Sequence, residues 1–282
     1  AIYDQYKPES MEDRVPRTIE GAVLAIADKA DSIAGMFALG LIPSGSKDPF
    51  ALRRQANGII KTVAEHKLPL SMGILFRDAL GAYAASQAEK KFTASVQSGE
   101  GRNALLQPLL AFTRERLEFY LRDALAFAYD VANAVLAAGA DDVVDAVARA
   151  QAVAKVRPSE DFEAISAAFK RIKNILRQAR ETGKQIGESL DKNLLSDDAE
   201  KALASEMQRV GPRVRELSQQ ADYEAALAEI ATIRPAVDTF FDKVMVMVED
   251  ERLRANRLAL LQALSREFST IADFSEIVTE KK

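Results

Sequence analysis

Two aspartates in the first strongly helical stretch have the residue type and spacing for metal or acid–base chemistry. Asp28 and Asp31 are three positions apart, so on a helix both carboxylates lie on one face. A divalent metal ion needs further histidine or carboxylate ligands, and the chain has one histidine, His66, and no cysteine. We therefore expect the two aspartates to pair with basic side chains or to cap a neighbouring helix. His66 is expected at a helix end.

A loop at residues 44–47, Ser-Gly-Ser-Lys, has features of a phosphate site. It precedes Asp48 and Pro49, a pair typical of a helix start, and helix N-termini attract anions. Lys47, Arg53 and Arg54 add positive charge nearby. The spacing is not that of a P-loop, and no predicted strand precedes it. Three alternatives stay open: a nucleotide site, a contact to an RNA backbone, or a structural cap with ion pairs between domains.

A stripe of basic residues later in the chain indicates polyanion binding. Its members recur at spacings of three, four, three and four, which puts them on one side of a helix if that helix continues through Gly183. Such a stripe can follow a phosphate backbone, and the alternative is a solvated helix face. This basic stripe consists of Lys170, Lys173, Arg177, Arg180 and Lys184.

Two arginine clusters and two aromatic residues are weaker signs of RNA binding. The clusters either contact RNA or form ion pairs within a helical bundle, and the aromatic rings either stack on bases or belong to the core. We expect ion pairing and core packing to be the commoner roles. The first cluster is Arg209, Arg213 and Arg215, the second is Arg252, Arg254 and Arg257, and the aromatic residues are Phe119 and Tyr120.

The composition indicates what class of protein carries these residues. With 48% hydrophobic and 28% charged residues, the chain is expected to fold as a soluble globular protein. No apolar run reaches the roughly 18 residues of a membrane span, so we expect a cytoplasmic protein without a membrane partner. The net charge of −4 means that any RNA site is a local basic face on an acidic body. The first residues resemble neither a start nor a signal peptide, which suggests a piece of a longer chain.

The pattern along the chain predicts an all-α fold. Alanine and leucine are frequent, while hairpin signals and alternating β-branched runs are scarce. Pro212 and Pro235 fall inside long helical patterns and should kink or split those helices. The predicted helices cover about 18–39, 48–66, 71–90, 104–120, 123–137, 141–155, 159–181, 197–219, 222–247 and 250–269.

A polar, glycine-containing stretch at residues 93–103 is the best predicted domain boundary. It would separate a first domain at 1–95 from a second at 103–282. Most other connections are short, so neighbouring helices should pack antiparallel as a bundle.

Two long stretches carry a specific resemblance to a known family. The first resembles the signature region of the glycyl-tRNA synthetase β subunit, in its HD-like helical domain. The second, with shorter matches before it, is similar to the helical anticodon-binding domain shared with arginyl-tRNA synthetase. The first stretch is RTIEGAVLAIADKAD at 17–31, continuing through 35–37 and 40–54. The second is FFDKVMVM at 240–247 with NRLALL at 256–261 and ADF at 272–274, and the shorter matches are Phe112, 115–117, 130–131 and 134–135.

This resemblance implies that different subunits carry out tRNA recognition and catalysis. The chain would be a C-terminal fragment of the β subunit that recognises tRNA(Gly), including its anticodon, in an α2β2 assembly. Glycine activation with ATP and Mg would take place on the α subunit, so the fragment itself would hold no cofactor and no catalytic residue. The basic stripe, Arg209, Arg213, Lys47, Arg53 and Arg54 would contact the tRNA.

Two alternatives remain from other classes of function. HD phosphohydrolases bind metal through an H…HD…D pattern, and Asp28 could stand where the last aspartate falls. The histidine-bearing part of that pattern lies upstream or is absent, so hydrolase activity is not carried over. The other alternative is a helical assembly scaffold that contacts the α subunit without binding RNA.

Overall fold

The fold is built from helices, as the sequence predicts. The computed structural model describes residues 1–84 and 94–279, and within them we find α-helices, short 3-10 turns, one π-helical turn and no strand. The predicted all-α class is therefore confirmed. The helices are α1 (Ile19–Ala38), α2 (Leu52–His66), α3 (Met72–Ala84), α4 (Ala94–Gln97), α5 (Gly99–Phe119), α6 (Tyr129–Ala138), α7 (Val143–Val156), α8 (Glu160–Glu181), α9 (Asp198–Gln219), α10 (Tyr223–Ala231), α11 (Arg234–Lys243) and α12 (Glu251–Phe268).

Residues 1–127 and 139–147 form one compact unit, called unit 1 below. Helix α1 packs on α2 and α3, and α5 packs on α3. Phe37 of α1 lies in this core with its ring 5.3 Å from that of Phe112. The irregular segment before α1 is held by two buried lysines, Lys29 and Lys61. Each ammonium group donates to two backbone carbonyls of that segment, at 2.6–3.0 Å, which satisfies the buried charge.

The second compact unit, unit 2, consists of residues 128–138 and those from 148 onward. Helix α8 packs against α11 and α12, and α9 packs against α10, α11 and α12. Three phenylalanine rings, Phe162, Phe169 and Phe274, meet edge to face at 5.2–5.4 Å in its core. Unit 2 contains the whole basic stripe and both arginine clusters.

Several helix ends differ from those predicted. Helix α2 begins at Leu52 rather than near Asp48, because Ala51 takes a left-handed conformation with φ 53°. The helix predicted at 222–247 is two helices, α10 and α11. The break between them lies just before Pro235, because a proline cannot donate the hydrogen bond that would continue the first helix. By contrast, α9 continues through Pro212. The predicted end of the third helix, near Lys90, lies outside the described residues.

The compact units do not divide at the boundary predicted from the sequence. Helix α4 and the start of α5 lie inside the predicted boundary at 93–103, and α5 packs on α2 and α3 within unit 1. The described residues of this polar, glycine-containing stretch therefore belong to one packed unit. The assignment of 1–95 to an HD-like domain and of 103–282 to an anticodon-binding domain stays a prediction. Along the described part of the chain, no helix combines the length and apolar character that a membrane crossing requires.

Candidate nucleic-acid interface

The basic stripe lies on the solvent side of α8. Ser159 caps this helix by accepting a hydrogen bond from the Phe162 amide at 3.2 Å. The opposite side, which includes Phe169, Ile172 and Leu176, is buried in the core of unit 2. Because the apolar side fixes the rotation of the helix, the four stripe residues on it are exposed, as predicted: Lys170, Lys173, Arg177 and Arg180.

Two members of the stripe are engaged by neighbouring acidic groups. The Lys173 ammonium donates to Asp273 at 3.0 Å and to Glu276 at 2.8 Å. Burial lowers the pKa of Lys173, but the hydrogen bonds to Glu276 and Asp273 outweigh it and hold the pKa above its usual value. Arg177 is held more loosely, with Glu181 at 4.0 Å. The charge of Lys173 is therefore largely compensated before any ligand arrives.

The other three members, Lys170, Arg180 and Lys184, form no ion pair and no side-chain hydrogen bond with the described part of the protein. Helix α8 ends at Glu181, and Gly183 has φ +65°, so Lys184 does not continue the helix as the spacing had suggested. Its side chain is nevertheless exposed just beyond the helix end. These three side chains are called the free cations below, and they are the part of the stripe available to a polyanion.

The first arginine cluster is compensated by acidic residues of unit 2. Arg209 pairs with Glu206 at 2.8 Å and with Glu229 at 3.0 Å, and Arg213 pairs with Glu216 at 2.7 Å. Both arginines are half exposed, so such pairs are worth little to stability, yet they cancel local charge. They stand on α9, separately from the stripe. Arg209 and Arg213 are therefore matched by acidic neighbours, unlike the free cations.

The second arginine cluster serves the fold. Arg254 is buried and donates to the carbonyls of Val248 and Glu249 at 2.8 and 3.1 Å. Arg257 is also buried, pairs with Glu200 and donates to the Met245 carbonyl at 2.8 Å. Arginine type and spacing alone did not separate these buried residues from exposed Arg252.

The loop at 44–47 forms a tight turn, with Ser44 and Lys47 exchanging two backbone hydrogen bonds at 2.9 and 3.1 Å. The Asp48 carboxylate accepts hydrogen bonds from the amides of Leu52 and Arg53 at 2.8 and 3.0 Å. It already occupies the helix N-terminus that was predicted to attract phosphate. Positive charge in this part of unit 1 comes instead from the side chains of Lys47, Arg53 and Arg54, none of which forms an ion pair with a described residue.

Among the described residues, no set of metal ligands surrounds the acidic pair on α1. Asp28 and Asp31 are both exposed, and the two residues between them, Lys29 and Ala30, are buried. His66 stands apart, with its Nε2 2.7 Å from the Pro16 carbonyl oxygen. Over residues 1–84 and 94–279, no group of three or more histidine, aspartate or glutamate residues is arranged to hold a metal ion.

The two aromatic residues named from the sequence differ in exposure. Tyr120 is buried, which raises the pKa of its hydroxyl, whereas Phe119 is exposed at the end of α5. A better platform lies in unit 2, where the Arg171 guanidinium stacks over the Phe241 ring with its carbon 4.1 Å from the ring centroid. The contact joins α8 to α11, and spacing along one helix cannot reveal it.

Comparison with known proteins gives two family matches. Residues 1–137 match the family described as glycyl-tRNA synthetase beta subunit. Residues 165–279 match the DALR anticodon binding domain. The second match contains the basic stripe, the Arg171–Phe241 pair and the arginines of α9 and α12.

Individual relatives agree with these matches. The chain is 54% identical over 282 residues to the glycine–tRNA ligase β subunit of Acidobacterium capsulatum, covering 99% of this chain and 38% of that protein. It is 40% identical over 282 residues to the β subunit of Desulforamulus reducens, covering 100% of this chain and 38% of that protein. It is also 40% identical over 280 residues to that of Syntrophus aciditrophicus, covering 99% and 38% respectively. The chain therefore spans about two fifths of the length of the curated relatives it matches.

Proposed function

We propose, since the chain belongs to the family of glycyl-tRNA synthetase β subunits, that unit 2 binds tRNA(Gly), including its anticodon. The observation that carries this proposal is the position of the free cations. Lys170, Arg180 and Lys184 are exposed and uncompensated, and they lie inside the residues that match an anticodon-binding domain. A surface of this kind can hold phosphates even though the whole chain is acidic.

The mechanism of this binding is positioning rather than chemistry. Phosphate contacts fix where the RNA lies and in which direction it runs, and contacts to bases select the sequence. The free cations supply phosphate contacts on unit 2. Lys47, Arg53 and Arg54 supply a second group of exposed or half-exposed cations on unit 1. Binding at these surfaces would present the acceptor end of the tRNA to an active site elsewhere.

The active site belongs, in this proposal, to a separate α subunit. That subunit would bind ATP and Mg and activate glycine, and two copies of each subunit would form the α2β2 enzyme in the cytoplasm. Support comes from the relatives, which are named as β subunits of a glycine–tRNA ligase.

A salt titration of tRNA binding tests the proposal. The full-length β subunit, purified with its α subunit, is compared with a variant carrying Lys170→Gln, Arg180→Gln and Lys184→Gln. Loss of three phosphate contacts should reduce the slope of log K against log salt by about two to three. Between 50 and 200 mM salt, the change in affinity should then be about 20- to 40-fold smaller than for the unmodified protein.

The matched control neutralises three exposed cations elsewhere on unit 2, with Lys192→Gln, Lys201→Gln and Arg252→Gln. This control has the same net charge as the test variant and should keep the original slope. Equal slopes for the unmodified protein and the test variant would refute the proposal that the free cations hold phosphates.

A further inference from the structure

A groove in unit 2 runs between α8 and the end of α11. Its volume is about 470 Å³. Arg171 and Ile175 line one side from α8, one helical turn apart. Residues 241–247 line the other side, from the last turn of α11 into the extended segment that follows it.

The groove has a flat, well-supported wall. The Arg171 guanidinium covers the Phe241 ring at 4.1 Å. That ring in turn packs edge-on against Phe240 at 5.5 Å, and Phe240 is fully buried. Phe241 therefore packs against a buried ring, while the Arg171 side chain that covers it is exposed. A planar cation on an anchored ring is a surface on which another planar group stacks.

The segment after α11 presents methionines to solvent from a rigid backbone. Side chains alternate along it: Val244 and Val246 are buried, whereas Met245 is 73% exposed and Met247 is 37% exposed. The buried Arg257 holds the Met245 carbonyl at 2.8 Å, so the backbone at this position is fixed. Burying an apolar side chain that stands on a fixed backbone costs a ligand little ordering entropy.

Charge at the groove matches a nucleotide. Asp242 and Lys243 are exposed, and within the described structure neither forms an ion pair or a side-chain hydrogen bond. Lys243 and Arg171 can meet a phosphate. The Asp242 carboxylate can accept a hydrogen bond from an exocyclic amino group of a base.

We propose that this groove takes one unstacked nucleobase of a single-stranded tRNA loop. The base stacks against the Arg171–Phe241 pair, Met245 covers its edge, and Asp242 accepts from its amino group. This combination of planar side chains with a hydrogen-bonding group is how proteins recognise splayed RNA bases. The inference rests on the proposed function, because it assumes that tRNA binds unit 2.

Two conservative variants of the full-length β subunit, purified with its α subunit, test the site. Arg171→Lys keeps the charge but removes the plane, and Met245→Ala removes an exposed apolar side chain without disturbing the core. Loss of base stacking should weaken tRNA(Gly) binding by about 5- to 150-fold. The slope of log K against log salt should stay unchanged, since no phosphate contact is lost. Arg252→Lys and Val278→Ala, at exposed positions of unit 2, are the controls and should bind normally.

A tRNA(Gly) series with one abasic nucleotide at each anticodon-loop position identifies the base. At one position, the abasic tRNA should bind the unmodified protein weakly, and Met245→Ala should cause no further loss with that tRNA. If both test variants bind intact tRNA as the controls do, while neutralising the free cations still reduces the salt slope, the groove proposal is wrong and the proposed function stands. If the unmodified protein does not bind tRNA(Gly), both are wrong.

Discussion

Replacing Glu200 by alanine should destabilise unit 2 strongly, although the residue lies in the first turn of a surface helix. Glu200 is fully buried. One carboxylate oxygen accepts from the amides of Ser196 and Asp197, at 2.7 and 3.0 Å, and completes the cap of α9. The other oxygen pairs with the buried guanidinium of Arg257.

The expected loss of stability follows from the groups that Glu200→Ala leaves without a partner. Without Glu200, the Arg257 charge is buried and unpaired, and the two cap amides lose their acceptor. Breaking a buried ion pair by removing one partner costs about 3–5 kcal/mol. For a unit of about 150 residues, 1 kcal/mol corresponds to about 2–4 °C in Tm. We therefore expect Glu200→Ala to lower the Tm of unit 2 by about 6–20 °C.

Glu216→Ala is the matched control on the same helix. Glu216 is exposed and pairs with exposed Arg213 at 2.7 Å, so its removal should cost less than about 0.5 kcal/mol. Urea and thermal unfolding, followed by circular dichroism at 222 nm, measure both variants. If Glu200→Ala is no more destabilising than Glu216→Ala, the buried pair does not support unit 2. The rigid backbone at Met245 would then lack its explanation too, because Arg257 links Glu200 to that carbonyl.

Three further substitutions test other parts of the structure, and urea unfolding measures the stability of each variant. Gly35→Ala places a Cβ 2.5 Å from the Tyr83 hydroxyl oxygen, so it should destabilise unit 1 by about 1–3 kcal/mol. Asp48→Ala removes both hydrogen bonds at the start of α2 and should cost about 0.5–2 kcal/mol. Burial raises the pKa of Asp273, but hydrogen bonds, including one from Lys173, outweigh it and lower the pKa overall. Its stabilising contribution is therefore present above about pH 4 and lost as the pH falls through the lowered pKa, and Asp273→Asn should remove this part of the pH dependence.

Each of these predictions has its own control. Gly81→Ala meets no atom within 4 Å and should be neutral or stabilising, so equal losses at Gly35 and Gly81 would contradict the contact with Tyr83. Asp78 is exposed on α3, and a cost for Asp48→Ala no larger than that for Asp78→Ala would show that the Asp48 carboxylate does not stabilise the start of α2. If unfolding of Asp273→Asn and of the unmodified protein responds identically to acid, the lowered pKa is wrong.

The sequence predicted helix ends correctly where a neighbouring residue sets them. Thr18 caps α1, and the predicted start lies within one residue of the observed one. The periodicity of α8 predicted which side carries the exposed cations. Prediction was wrong at α2, because Ala51 takes a left-handed conformation that alanine seldom adopts. The sequence also could not show that α9 would tolerate Pro212 while Pro235 marks the start of a new helix.

The interface was less predictable than the fold, because partners distant in sequence decide which charges are available. Lys173 and Arg180 share a type and a helix side. Lys173, however, meets two carboxylates one hundred residues further along the chain. The same limit applies to Arg252 and Arg257, of which one is exposed and the other buried. The Arg171–Phe241 stack depends on how α8 packs near α11, and no pattern within either helix carries that information.

Chemical footprinting of lysines tests most directly whether the α8 surface of unit 2 holds the tRNA. The full-length β subunit with its α subunit is acetylated with and without saturating tRNA(Gly), and the modification of each lysine is quantified by mass spectrometry. We expect tRNA to protect Lys170 and Lys184 while Lys192 and Lys201, exposed elsewhere on unit 2, react as before. Equal reactivity of Lys170 and Lys184 in the presence and absence of bound tRNA would contradict the proposed interface.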